Sequence, residues 1–225
     1  MYSAMNAFIT ASLLSGFAMA GTTTTTYPSY LNDKSAGFEL IAVVTNPATD
    51  LSPSVNFMSL TAFHDGAGRA FAGLSSDAST VWYLNGTENQ IKDNEADLLT
   101  DAGTPPFPSG LDFNTHPNGI ADLRVDAGPG TPGVGLTQIR DLFFLSAPEA
   151  PGTYVACREA IPYYQGKTFI TVKHVDVGVP HGCAEIRLLP QCAELQNLPS
   201  DALASHEFAM PVPCHPSVRA WETSV

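Results

Sequence analysis

The sequence predicts an all-β protein: an antiparallel β-sandwich of two packed sheets and about nine strands, with short helical turns and a Pro-rich C-terminal tail. Three observations predict it. Short runs rich in Val, Ile, Phe, Tyr and Thr recur along the chain, divided by clusters of Gly, Pro, Asn, Asp and Ser, which is the punctuation of strands. Gly and Pro number 18 each and fall mostly between the runs, leaving little room for long helices. No repeat appears at the roughly 20–50-residue period of a solenoid or propeller, so two packed antiparallel sheets are the simplest arrangement.

Read in order, Met1 to Ala20 has the features of a signal peptide: an apolar run from Ala7 to Leu14, then Ala18-Met19-Ala20, the small-x-small pattern of a cleavage site. The run is too short, and too broken by Ser12, Ser15 and Gly16, to span a bilayer. No later segment is a transmembrane candidate. Residues 21–36 read as a flexible leader, because Thr22 to Thr26 form a polar low-complexity stretch that cannot bury a core. The sandwich domain is expected over residues 37–191. Its strand-like runs are Phe38 to Thr45, Val55 to Phe63, Val81 to Leu84, Ala121 to Asp126, Gly133 to Ile139, Leu142 to Leu145, Thr153 to Arg158, Lys167 to Val175 and Cys183 to Leu189. In Thr168 to His174 the alternation places Ile170, Val172 and His174 on one face and Phe169, Thr171 and Lys173 on the other. Helical turns are expected at Asn94 to Leu99 and from Ser200 to Ala204. Residues 192–225 form a C-terminal extension.

The signal segment carries no charged side chain, so the formal charge of −12 belongs wholly to the mature protein. Such a chain is repelled by phosphate backbones, which argues against nucleic acid as a partner. Neutral sugars and small molecules are not excluded. Four cysteines, Cys157, Cys183, Cys192 and Cys214, in an oxidising compartment favour two disulfides. Three pairings are open. Strand positions favour Cys157 with Cys183, near the ends of neighbouring runs, and Cys192 with Cys214, which would pin the tail. No C-x-x-C pair and no ligand-spaced His residues point to a metal, and no cofactor is implied.

Asn85-Gly86-Thr87 is an N-glycosylation sequon directly after a strand-like run, and Asn-Gly also suits a tight turn. His64-Asp65-Gly66-Ala67-Gly68 sets a His beside a carboxylate, a pair suited to acid–base work. Adjacent strand residues point to opposite faces, however, so a turn with Gly66 and Gly68 at positive φ is the simpler expectation. Asp93, Glu95 and Asp97 are clustered acids. They lack the Gly and Glu positions of a calcium loop and are expected to form a solvated loop. His174 and Asp176 share one face of a strand if it extends that far, where an edge hydrogen bond is the expected role. With His64, Asp65 and Asp126 they complete the set of candidate catalytic residues.

Together, His64-Asp65-Gly66-Ala67-Gly68, Tyr83-Leu84-Asn85-Gly86-Thr87, the Gly/Pro-rich segment from Asp126 to Gly133, and Cys157 followed by Cys183 before a final strand carry a family resemblance. Over about Phe38 to Leu189 the chain resembles a family of uncharacterised small secreted proteins of filamentous ascomycete fungi. The resemblance implies export, a β-rich fold and a disulfide between Cys157 and Cys183.

The chain lacks the G-x-S-x-G elbow, the H-E-x-x-H zinc helix and the phosphate-binding P-loop. The expected function is that of a non-enzymatic extracellular or cell-wall binding protein of effector type, with a cell-wall glycan or a host surface component as partner. The alternative is a secreted hydrolase, or an auxiliary enzyme of a secondary-metabolite pathway, using a carboxylate/His cleft. A pocket holding two or more of His64, Asp65, Asp126, His174 and Asp176 separates the two.

Overall fold

The computed structural model describes residues 33–139, 142–148, 152–176 and 178–222. The expected signal peptide and most of the Thr-rich leader lie outside the described residues. The elements are, in order, β1 (Lys34–Ser35), β2 (Gly37–Val44), β3 (Ser59–Gly66), β4 (Arg69–Ser75), β5 (Val81–Asn85), α1 (Glu88–Lys92), β6 (Asp97–Ala102) and β7 (Phe107–Thr115). They continue with β8 (Ile120–Ala127), β9 (Gly135–Ile139), β10 (Leu142–Ser146), β11 (Thr153–Ala160), β12 (Thr168–Val175), β13 (Cys183–Ala193), β14 (Val212–Pro213) and α2 (Val218–Glu222).

The protein is all-β and antiparallel, but it is a barrel and not the expected two-sheet sandwich. One ten-stranded sheet holds β2 to β8 and β11 to β13, and its extra pairings close it. β2 pairs along its length with β13 and also receives β5 on its other edge, at Phe38↔Trp82 and Glu39↔Val81. On the far side β12 joins β11 along one edge and divides its other edge between β4 and β8. Pairing on both edges removes the free borders that would keep two sheets apart. The strands between these links are β4, which joins β3 to β12 and β8, and β6 and β7, which carry the sheet from β5 round to β8. Their sequences, RAFAGLS, DLLTDA and FPSGLDFNT, dilute the strand signal with small residues, acids or Pro. The expected helical turn at Asn94 to Leu99 is instead a turn leading into β6, while Thr87 caps the short α1 upstream through a reciprocal box with Gln90. At Ser200 there is only a turn, in which Ala202 donates to the Pro199 carbonyl.

Alternation fills the interior. Phe38, Leu40, Ala42 and Val44 of β2 point inward with Leu60, Trp82, Leu84, Leu98, Leu123, Val172 and Ile186. Where β3, β4 and β12 crowd together, Gly73 is required, because a Cβ there would overlap the Phe63 ring and the Ile170 carbonyl. The β9–β10 hairpin forms its own two-stranded sheet. Leu142 packs on Ile41 and Leu189 of the outer wall, whereas Leu145 and Val134 join the main core. The hairpin therefore runs from the wall up to one mouth of the barrel.

Cys157 is bonded to Cys183 and Cys192 to Cys214, the pairing that strand positions favour. The second bond ties the tail to β13, which extends past residue 191 to Ala193. The tail is held elsewhere too. β14 pairs with β1, Asn85 bridges to Ala209, and His206 Nε2 lies 2.8 Å from Asp101 Oδ2 with its ring against Tyr83.

Candidate functional site: a cleft at the barrel mouth

Strand register brings the site together. Tyr154 at the start of β11 lies opposite both His174 of β12 and Ile186 of β13; His174 in turn lies opposite Ala121, and Ala121 opposite Thr115. These residues ring one mouth of the barrel. His174 takes the inward side of β12, as alternation requires. Its ring stands edge-on to Tyr154 at 5.4 Å and to Phe113 at 5.8 Å. Gly152 lies directly beneath, where any Cβ would overlap the imidazole.

Two adjoining cavities open here. One, of about 480 Å³, is lined by Phe113, Thr115, Gly119, Ala121, Thr131, Pro132, Ala147, Pro148, His174 and Asp176. The other, of about 420 Å³, is lined by Thr137, Phe144, Leu145, Ser146, Ala147, Gly152, Thr153, Tyr154, His174, Glu185, Ile186 and Arg187. Both volumes fall in the range of ligand pockets. Ala147 and His174 are common to the two.

The electrostatics are those of a desolvated site. Burial pushes the His174 imidazole below the usual histidine value, with the Asp176 charge acting in the opposite direction, so the ring is neutral at pH 7. Burial pushes the Tyr154 phenol far up, and its hydroxyl has no hydrogen-bond partner among the described residues. A buried hydroxyl left unpaired costs about 1–3 kcal/mol. Glu185 accepts a hydrogen bond from the Thr153 hydroxyl at 3.1 Å.

His174 and Asp176 thus share one cavity, and His174 is not at an edge hydrogen bond. Asp65 and Asp126 are brought together elsewhere, on the outer wall, by the buried Arg124. Its Nη2 lies 2.7 Å from Asp65 and its Nε 3.3 Å from Asp126, and its guanidinium stacks on Phe71 at 4.3 Å. His64 stands apart, edge-on to Tyr163. The β3–β4 turn follows it, with Gly68 at φ 65° and Gly66 as the last residue of β3. Asn85 ends β5 beside the tail and is no hairpin tip; the Thr87 hydroxyl of the same sequon accepts from the Gln90 backbone N–H. The cluster of Asp93, Glu95 and Asp97 forms no metal-binding group, and neither does any other set of described residues. Tyr154 and Phe113 escaped the sequence reading. The available signal was alternation from Thr153 to Arg158, which puts Tyr154 and Ala156 on one face. Only register reveals that this face meets His174.

The fold and site define a class: a closed antiparallel barrel with a disulfide-pinned tail and a cleft at one mouth. The chain belongs to the family described as a domain of unknown function (DUF7907), whose model matches residues 35–192, from β1 to the Cys192 of β13. It is similar to the Antigenic protein SchS34 of Stachybotrys chartarum, with 36% identity over 206 residues, 86% of this chain and 91% of that protein. The relative is fungal, in keeping with the family resemblance. No solved structure matches. Among the described residues no helix is long and apolar enough to cross a membrane.

Proposed function

We propose that this is an exported, non-enzymatic fungal protein that binds a neutral cell-wall glycan in the cleft at the barrel mouth. One observation carries the reading: aromatic rings and hydroxyls converge on a concave site around the buried imidazole of His174. A pyranose offers C–H faces to rings such as Phe113 and Tyr154, and hydroxyls that donate to and accept from Thr, Ser, Tyr and neutral His. Asp176 at the first cavity, with the chain's charge of −12, opposes acidic polymers, while Glu185 and Arg187 offset one another at the second. Export is supported by the cleavage-site pattern after Ala18-Met19-Ala20, by the two disulfides and by a relative called an antigenic protein. Glycosylation at Asn85 belongs to the same reading, since the residue is only partly buried.

Pull-down on purified fungal and plant wall polymers tests binding. The native protein is expected to be retained and Ala147→Trp, which fills the wall shared by both cavities, to be lost to the flow-through. A blank across both sets of polymers overturns the reading. Native protein from culture fluid should begin at Gly21; a protein beginning at Met1 with four free thiols would contradict export.

Hydrolysis in the same cleft is the second reading, favoured by the presence of His174 and Asp176 in one cavity. Under the binding reading oligosaccharides remain intact after incubation. New reducing ends that disappear in His174→Gln would establish the hydrolase instead.

A further inference from the structure

The cleft has two chambers, and their composition specifies more than a generic sugar site. We infer that the mouth holds two consecutive units of a neutral glycan, one per chamber, with His174 contacting both and the Tyr154 hydroxyl donating to the unit in the second. This rests on the glycan reading above and adds the length recognised and the residue that anchors it.

Three features carry the inference. The cavities, of about 480 and 420 Å³, are each of ligand size and meet at a wall made by Ala147 and His174. His174 is fixed from two sides: its ring meets Phe113, which lines the first cavity, and Tyr154, which lines the second. It is therefore the one polar side chain positioned to meet both units. Tyr154 supplies an independent observation. It is 6% exposed, and its hydroxyl is buried without a partner among the described residues. Buried polar groups in native proteins are nearly always paired, and an occupant bearing an acceptor removes the deficit. A sugar hydroxyl or ring oxygen is such an acceptor. A carboxylate-bearing sugar is disfavoured in the first chamber, where Asp176 is the one carboxylate and no Lys or Arg lines the wall among the described residues; in the second, Glu185 is offset by Arg187. The Tyr154 ring belongs to the main core cluster, so the hydroxyl can be removed without removing the packing.

Calorimetric titration of the full mature protein with monosaccharides and disaccharides tests this. The probes are glucose, N-acetylglucosamine, cellobiose, laminaribiose and N,N′-diacetylchitobiose, with digalacturonate as the acidic control. At least one neutral disaccharide should bind about tenfold or more tightly than its own monosaccharide. Tyr154→Phe should weaken that disaccharide by about tenfold, the loss of one hydrogen bond at about 1.4 kcal/mol. Its thermal melt should be no lower than that of the wild type, which excludes unfolding as the cause. His174→Gln should weaken the disaccharide more than the monosaccharide. Equal binding of monosaccharide and disaccharide, with Tyr154→Phe unchanged, overturns the two-unit site while the glycan reading stands. Preference for digalacturonate overturns the neutral class. No binding of any probe, to a protein that also fails on wall polymers, overturns both.

Discussion

Lys173 and His174 are neighbours on β12, yet they report two different uses of one barrel wall. Lys173 points outward and is saturated: its ammonium meets Asp122 and lies 2.9 Å from Glu159. The desolvation of that ammonium is outweighed by the two carboxylates, which hold its pKa above the usual lysine value. Next to this group Arg124 is satisfied by Asp65 and Asp126. His174 points inward, where burial lowers its pKa and its closest ring neighbour carries a hydroxyl with no partner among the described residues. The contrast teaches that charge alone does not mark a site here. The outer network contains more ionisable groups, but each is met by a partner, as a structural network requires. The inner group leaves the Tyr154 hydroxyl without a partner among the described residues, inside a concavity.

The comparison yields an ordered set of expectations. Arg124→Met should have the largest effect on stability, about 3 kcal/mol by urea denaturation, because it strands Asp65 and Asp126. The folded fraction should bind disaccharide as the wild type does; lost affinity would mean the two faces are coupled. Gly152→Ala, on the inner side, should cost about 2 kcal/mol by overpacking against the His174 ring and should weaken binding as well. Unchanged affinity would show that the position of the ring is immaterial.

The pH response separates the faces further. Because burial lowers the folded-state value of His174 below its unfolded value of about 6.5, its stabilising contribution is full above that pH and is lost as pH falls toward the folded value. Asp122, whose desolvation is outweighed by hydrogen bonds from Lys173 and His116, is also held low. Its contribution is lost only at lower pH, through the carboxylate range. Between pH 7.5 and 5, therefore, the wild-type urea midpoint should drop more than that of His174→Gln. His215, also lowered by burial, keeps part of the slope in both proteins. Identical slopes would contradict the desolvated state of His174. Smallest of all, Tyr154→Phe should raise stability by about 1 kcal/mol, since it deletes a buried hydroxyl that has no partner among the described residues. A clear destabilisation would mean that the hydroxyl has a partner within the protein.

The same contrast explains what was legible in the sequence. Strands dense in β-branched and aromatic residues, such as LIAVV in β2 and TFITV in β12, announced themselves, and alternation correctly placed His174 with Ile170 and Val172 and opposite Lys173. Barrel closure did not show, because it depends on β4, β6 and β7, whose Ala, Gly, Pro and Asp residues are tolerated only where neighbouring strands supply the packing. The local pair His64-Asp65 drew attention by adjacency and was divided by the pleat, with Asp65 going to Arg124 and His64 to Tyr163. Tyr154 and His174 lie twenty residues apart in sequence and meet only through the β11–β12 register. No spacing rule encodes such a pair.

The central claim is that the inner face, not the outer, receives the ligand. The direct test is an NMR titration of isotopically labelled mature protein with the tightest disaccharide of the panel, following His, Tyr, Phe, Lys and Arg side-chain signals together. Shifts at His174, Tyr154 and Phe113, with Lys173 and Arg124 unmoved, are predicted. Shifts centred on Lys173 and Arg124, or none at the barrel mouth, would contradict it.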